Sequence, residues 1–160
     1  MNKRTFFNLA LVIACSYSII AAAANQTNLK RVLFVGNSYL YYNDSLHNHV
    51  ERMAIERHSG STASSFEFKS ATIGDALLKN HNLDWLLTPS KIGAQGRFQV
   101  VIMQGASFEP LTPEGRQVFF DTTKSYADKV RRVGAEPMLF MTHAYVPPHS
   151  QVDENMINIV

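Results

Sequence analysis

Ser38 is placed to do chemistry by what precedes it. It sits in Gly36-Asn37-Ser38, directly after the unbroken apolar run Val32-Leu33-Phe34-Val35. Two further runs end on polar clusters: Val100-Val101-Ile102-Met103 delivers Gln104-Gly105-Ala106-Ser107, and Met138-Leu139-Phe140-Met141 delivers Thr142-His143. In an open parallel sheet the carboxyl ends of the strands line one rim, which is where ligands of such folds bind. A serine hydroxyl on that rim attacks an acyl carbon once a base takes its proton, and the resulting oxyanion needs fixed donors. The candidate donors are the Ser38 N–H, the unobstructed backbone N–H of Gly74 and the side-chain amide of Gln104. Asn37, Tyr39, Ser107 and His143 are candidate substrate contacts, and Tyr39, Tyr41 and Tyr42 offer rings to a sugar or an acyl group. Read alone, Gly-Asn-Ser is also ordinary turn chemistry, and the tyrosines equally suit packing beneath a loop.

The elements that must position these residues can be read from punctuation. Apolar runs of four without alternation suit strands covered on both faces by helices. Ser45 is an expected cap for a helix from Leu46 to about His58, with Leu46, Val50, Met53 and Ala54 on one face. Phe66-Glu67-Phe68-Lys69 alternates as an edge strand does, and Gly74 leads into a short helical stretch through Ala76-Leu77-Leu78. Trp85-Leu86-Leu87 reads as a short helix packed on the sheet. The rest of 82–98, with Pro89, Gly93 and Gly96, reads as a surface loop that walls a cleft. The clearest helix starts at the cap Thr112 with Pro113 in its first position, carries Phe119, Tyr126, Val130 and Val133 on one stripe, and leaves through Gly134. Lys129, Arg131 and Arg132 complement its dipole. Strand and helix alternate throughout, so the expected class is α/β, a flavodoxin-like three-layer sandwich on a parallel sheet.

Asn2-Lys3-Arg4, the apolar stretch from Phe6 to Ile20 and Ala22-Ala23-Ala24 form a basic head, a greasy middle and a small-residue cleavage site. Residues 1–24 therefore read as a secretory signal peptide, with 25–160 as one domain. A retained anchor and a lipoprotein box ending at Cys15 are the alternatives. The formal charge is +2, and removing Lys3 and Arg4 leaves the remainder neutral, which gives no electrostatic case for nucleic acid or for lasting membrane contact. Cys15 is the single cysteine and leaves with the leader, so neither disulfides nor a thiolate nucleophile is expected in an exported, periplasmic or extracellular product. His47 and His49 are two apart on a helix and face apart, and no metal or cofactor motif appears, so neither is expected. The segment from Glu154 to Val160 reads as the opening of an amphipathic helix.

Val35-Gly36-Asn37-Ser38-Tyr39, with Tyr41-Tyr42-Asn43-Asp44 after it, resembles the first block of the SGNH/GDSL hydrolase superfamily in its glycine-asparagine-serine form. Ala71-Thr72-Ile73-Gly74 resembles the second block, and Val100 to Ser107 the third, with glutamine where many relatives have asparagine. The third block is also similar to the glutamine-glycine-glutamate-serine segment of carbohydrate acetylesterases. The resemblance runs from about Arg31 to about Tyr145. It implies a serine esterase, with a small ester or an acetylated carbohydrate as substrate, Ser38 as nucleophile, and Ser38, Gly74 and Gln104 as oxyanion donors. Ala106 stands where close relatives often carry a polar residue, which leaves Ser107 open beside the preferred Gln104 as side-chain donor. The last block, an aspartate followed three residues later by the base histidine, is not supplied by Asp153-Glu154-Asn155-Met156. It would follow Val160, the domain's final strand and helix with it, and His143 is expected as cleft wall rather than base. A glycan-binding module on the same scaffold, or an inactive truncated product, is the alternative.

Overall fold

The computed structural model describes residues 29–143. The expected leader over 1–24 and the helix opening at Glu154 lie outside the described residues. In chain order the elements are β1 (Arg31–Gly36), α1 (Ser38–Tyr41), α2 (Leu46–Arg57), β2 (Glu67–Thr72), α3 (Leu83–Leu87), β3 (Val100–Met103), α4 (Pro113–Arg132) and β4 (Glu136–Leu139). Single 3₁₀ turns occupy Ala63–Ser65, Leu78–Asn80 and Glu109–Leu111. The four strands form one parallel sheet in the order β2-β1-β3-β4. This is the expected α/β architecture, with β1 in the interior and the strand order reversing beside it. A reversal of that kind opens a crevice at the carboxyl ends of the strands.

The period of two along β1 sorts its side chains between two cores. Leu33 and Val35 join Val101 and Met103 beneath Leu83, Leu86 and Leu87 of α3 and Tyr126 and Val130 of α4. Val32 and Phe34 face the other way, with Leu40 of α1, Phe66 and Phe68, and are covered by Leu46, Val50, Ala54 and Ile55 of α2. The result is three layers, with both faces of the sheet buried as the non-alternating runs demand.

The α4 termini follow the sequence closely. Thr112 Oγ1 accepts from the Gly115 amide at 3.0 Å, Pro113 opens the helix, and Gly134 takes φ +81° after it. Elsewhere the structure corrects the expectations. Met53 is 70% exposed and Ile55 packs in its stead, because the apolar stripe of α2 is narrow. Ser45 stands at the N-cap of α2 as expected but makes no side-chain cap bond: at φ 59° its hydroxyl donates back to the Tyr41 carbonyl. Trp85 is solvent-facing, while Leu86 and Leu87 bury. β4 begins at Glu136 and is exposed along Met138 and Leu139, since it pairs only with β3 among the described residues.

The 82–98 segment does not wall the rim. The Gln99 amide donates to the Arg31 carbonyl, Arg31 Nε to the Arg97 carbonyl and the Gln95 amide to Glu67, so residues 95–99 lie against the first residues of β1 and β2. In a parallel sheet that is the end opposite Ser38. Ala94 and Phe98 are buried there as core.

Candidate active site

Asn37, between β1 and α1, is the centre of the rim. Its amide donates to Gln104 Oε1 at 3.0 Å, and its side-chain Nδ2 donates to the Ala76 carbonyl at 3.1 Å. Its Oδ1 accepts from the Tyr39 amide at 3.3 Å and so caps α1. One residue therefore joins the end of β1 to the loop after β2 and to the loop after β3. Backbone bonds reinforce the join: Ile73 N donates to the Gly36 carbonyl at 3.1 Å and Gln104 N to the Val35 carbonyl at 2.8 Å. Gly36 permits the approach, because a Cβ there would lie 2.6 Å from Gln104 Oε1 and 2.8 Å from Leu40 Cδ1.

Ser38 stands immediately outside this knot. It is half-buried, and its hydroxyl makes no hydrogen bond among the described residues. Its backbone N–H and that of Gly74 likewise donate to none of the described residues. Gly74 is exposed in the turn Ile73–Ala76, closed by a 3.3 Å bond from Ala76 N to the Ile73 carbonyl, with Asp75 at φ +57°. A side chain at Gly74 would meet the Tyr41 hydroxyl at 3.4 Å, which places the turn against α1.

Two candidate residues are engaged within the protein itself. Gln104 is fully buried: its Oε1 takes the Asn37 amide and its Nε2 donates to the Gly105 carbonyl. Through these two contacts Gln104 ties the loop after β3 to the end of β1, and its Nε2 keeps a second N–H. Asn37, 3% exposed, is engaged at both ends of its side-chain amide, with Ala76 and Tyr39. Ser107 is buried in the turn after β3. Tyr39 and His143 are brought together across the rim, their rings edge to face at 5.4 Å between centroids.

The loop from Tyr42 to Ser45 is held unusually firmly. Asn43, Asp44 and Ser45 take φ of 53°, 66° and 59° in succession, a left-handed path that costs free energy outside glycine. Side chains from α2 offset that cost. Asn48 donates to the Asp44 carbonyl at 2.8 Å, a His49 ring nitrogen meets the Asn43 carbonyl at 2.6 Å, and Arg52 pairs with Asp44 at 2.8 Å. The hydrogen bond from Arg52, then that from Asn48, lowers the Asp44 carboxyl below its ordinary range. Tyr42, edge to face on Tyr41 at 5.0 Å, is presented to solvent by this loop.

Two buried ionisable groups were not among the candidates. His81 is buried, which pushes its imidazole pKa down, and the Gly36 carbonyl beside it partly opposes that. Glu109 is buried, its Oε2 accepting from the Ala106 amide at 2.6 Å. Desolvation pushes the Glu109 pKa up, against the Ala106 and Leu78 amides and Lys79. The available signal was Glu109 itself, a lone carboxylate between Phe108 and Pro110 in the loop that follows β3. His81, between Asn80 and Asn82, carried none. Among the described residues no cluster of histidine, cysteine or carboxylate side chains could hold a metal ion.

No protein-family profile and no curated protein sequence matches the chain. Among solved structures, one titled "a putative SGNH hydrolase from Slackia heliotrinireducens" is similar, with a TM-score of 0.55 and 21% identity over 82% of this chain. The chain spans 64% of that protein's length. At this identity the likeness is one of fold, and the α/β fold described above is shared with that structure.

Proposed function

We propose that the chain carries the nucleophile side of a serine acyl hydrolase site of the SGNH kind, exported and acting on a small ester or an acetylated carbohydrate. The observation that carries this reading is the contrast at the end of β1. Asn37 and Gln104 bond across the first, second and third blocks, while the adjacent Ser38 hydroxyl and the Ser38 and Gly74 N–H groups are left for a ligand. In the proposed reaction Ser38 Oγ attacks the acyl carbon and the two backbone N–H groups receive the oxyanion. The alcohol then leaves, and water releases the acyl group from Ser38. Tyr39 and His143 border the leaving side. The hydroxyl needs a base, and no described side chain hydrogen-bonds to it, which supports a glycan-binding scaffold as the second reading. Turnover of p-nitrophenyl acetate, with peptide mapping for acetyl-Ser38, separates the two. Serine chemistry predicts turnover and adduct that vanish in Ser38→Ala; turnover unchanged in that variant removes the hydrolase reading.

A further inference from the structure

Tyr41 and Tyr42 carry aromatic surface that the two cores do not use. Tyr41 is 37% exposed and Tyr42 67%, so neither is buried beneath the loop that follows α1. α1 is a single turn, and residues three apart on a helix are neighbours on one face, so Tyr41 stands on the same side as Ser38. The Tyr41 hydroxyl ends over the turn after β2, 3.4 Å from where a Cβ on Gly74 would lie. Tyr42 meets Tyr41 at 5.0 Å between ring centroids and 76° between planes, which makes a corner of one ring face and one ring edge. Neither hydroxyl makes a hydrogen bond among the described residues. Holding the corner in this place costs free energy. Asn43, Asp44 and Ser45 pass through three successive left-handed conformations, and Asn48, His49 and Arg52 of α2 brace them. Strain of that kind persists only where the surrounding structure over-determines it, and it gathers at ligand sites.

We propose that the corner of Tyr41 and Tyr42 is a glycan subsite, which makes the substrate an acetylated oligosaccharide. The sugar ring bearing the ester lies on the Tyr39 and His143 side of Ser38, and a neighbouring ring of the same glycan stacks on Tyr42 with the Tyr41 hydroxyl at its edge. The catalytic consequence rests on the acyl-hydrolase reading of Ser38; the binding of glycan does not. The chemistry of the corner chooses the occupant. A long acyl chain is stabilised by full removal from water, which needs an enclosed apolar slot, and Tyr42, 67% exposed, offers an open surface. A sugar ring is amphipathic in the way the corner is. Its C–H groups suit an aromatic face, and its hydroxyls suit the phenol oxygens. The braced loop fixes the backbone of Tyr42 before the ligand arrives, so less ordering is left to oppose binding.

Isothermal titration of the Ser38→Ala chain with acetylated xylotetraose, mannotetraose and cellotetraose tests the subsite without reference to turnover. At least one of them is expected to bind, and adding Tyr42→Ala should weaken that binding about tenfold, the scale of a lost aromatic contact. Tyr42→Phe keeps the ring face and should stay within about twofold. Failure of all three glycans to bind, or equal affinity with and without the Tyr42 ring, overturns the proposal. The second arm is acetate release by the chain with Ser38 intact. The ratio of kcat/KM for the acetylated tetrasaccharide to that for the matching acetylated monosaccharide should fall about tenfold in Tyr42→Ala, carried by KM, and a ratio that does not move also overturns it. Failure of the hydrolase reading is distinguishable. It appears as acetate release insensitive to Ser38→Ala while tetrasaccharide binding still depends on Tyr42, whereas failure of the subsite leaves Ser38-dependent release with neither affinity nor ratio responding to Tyr42→Ala.

Discussion

Replacing Gly36 with alanine adds one methyl group, and the structure fixes what it meets. The new Cβ would lie 2.6 Å from Gln104 Oε1, 2.8 Å from Leu40 Cδ1 and 3.0 Å from Gln104 Cβ, where ordinary contact begins at 3.4 Å. Leu40 and Gln104 are both fully buried, so neither can swing into solvent. Overpacking of this kind costs about 1–3 kcal/mol. Displacing Gln104 also breaks its 3.0 Å bond from the Asn37 amide. A buried N–H left without an acceptor costs about 1–3 kcal/mol more. Gly36→Ala should therefore lose about 2–6 kcal/mol, a large share of the roughly 5–15 kcal/mol typical of a domain. Urea unfolding followed by circular dichroism measures the loss. A double-mutant cycle with Gln104→Ala then assigns its cause, because removing the Gln104 amide should shrink the cost of Gly36→Ala by more than about 1 kcal/mol. A loss below about 1 kcal/mol, or the same loss in both backgrounds, would refute the packing described for this knot.

Tyr126→Phe removes the hydroxyl that donates to the His81 carbonyl at 2.5 Å and should lower the urea midpoint by the equivalent of about 1 kcal/mol. Thr112→Ala takes away the cap on the Gly115 amide and should cost a similar amount, about 1 kcal/mol, with faster amide exchange confined to the first turn of α4. The pH dependence follows from His81, whose pKa burial holds below its ordinary 6.5. Its unfolded form binds a proton first, so its contribution to stability is complete above that value and is lost as pH falls from 6.5 towards the folded pKa. His81→Gln should flatten the acid side of the urea-midpoint profile below about pH 6.5. His47 acts in the same sense, through burial, and Glu109 in the opposite sense, because its raised pKa favours folding at low pH.

The layer order and the rim were legible because each rests on local rules. Apolar runs without alternation gave two-faced strands, and Thr112, Pro113 and Gly134 marked α4 through groups that any helix end must satisfy. The convergence of the Ser38, Gly74 and Gln104 segments followed from the parallel sheet that those runs demand. What each polar side chain does there was not legible. Gln104 read as an oxyanion donor and Asn37 as a substrate contact, yet a buried amide also takes whichever partners packing brings to it, and here these are the Asn37 amide, the Ala76 carbonyl and the Gly105 carbonyl. Met53 fits the helical period and is still exposed, since the width of an apolar stripe is set by what packs against it. The 82–98 loop read as a cleft wall, yet its residues 95–98 lie at the end of the sheet opposite Ser38, because composition carries no direction along a sheet.

Pro137 gives the outer side of β4 a polarity. The Glu136 and Phe140 amides donate inward, to Gln99 and Met103, so by alternation the nitrogens of Pro137 and Leu139 point outward. Proline has no hydrogen to offer, and ladder pairing by a guest segment must start beyond it. The first outward donor is Leu139, four residues before His143. A guest strand running in the common direction would thus zip only along the half nearest the crevice, and its trailing loop would arrive beside His143 and Tyr39.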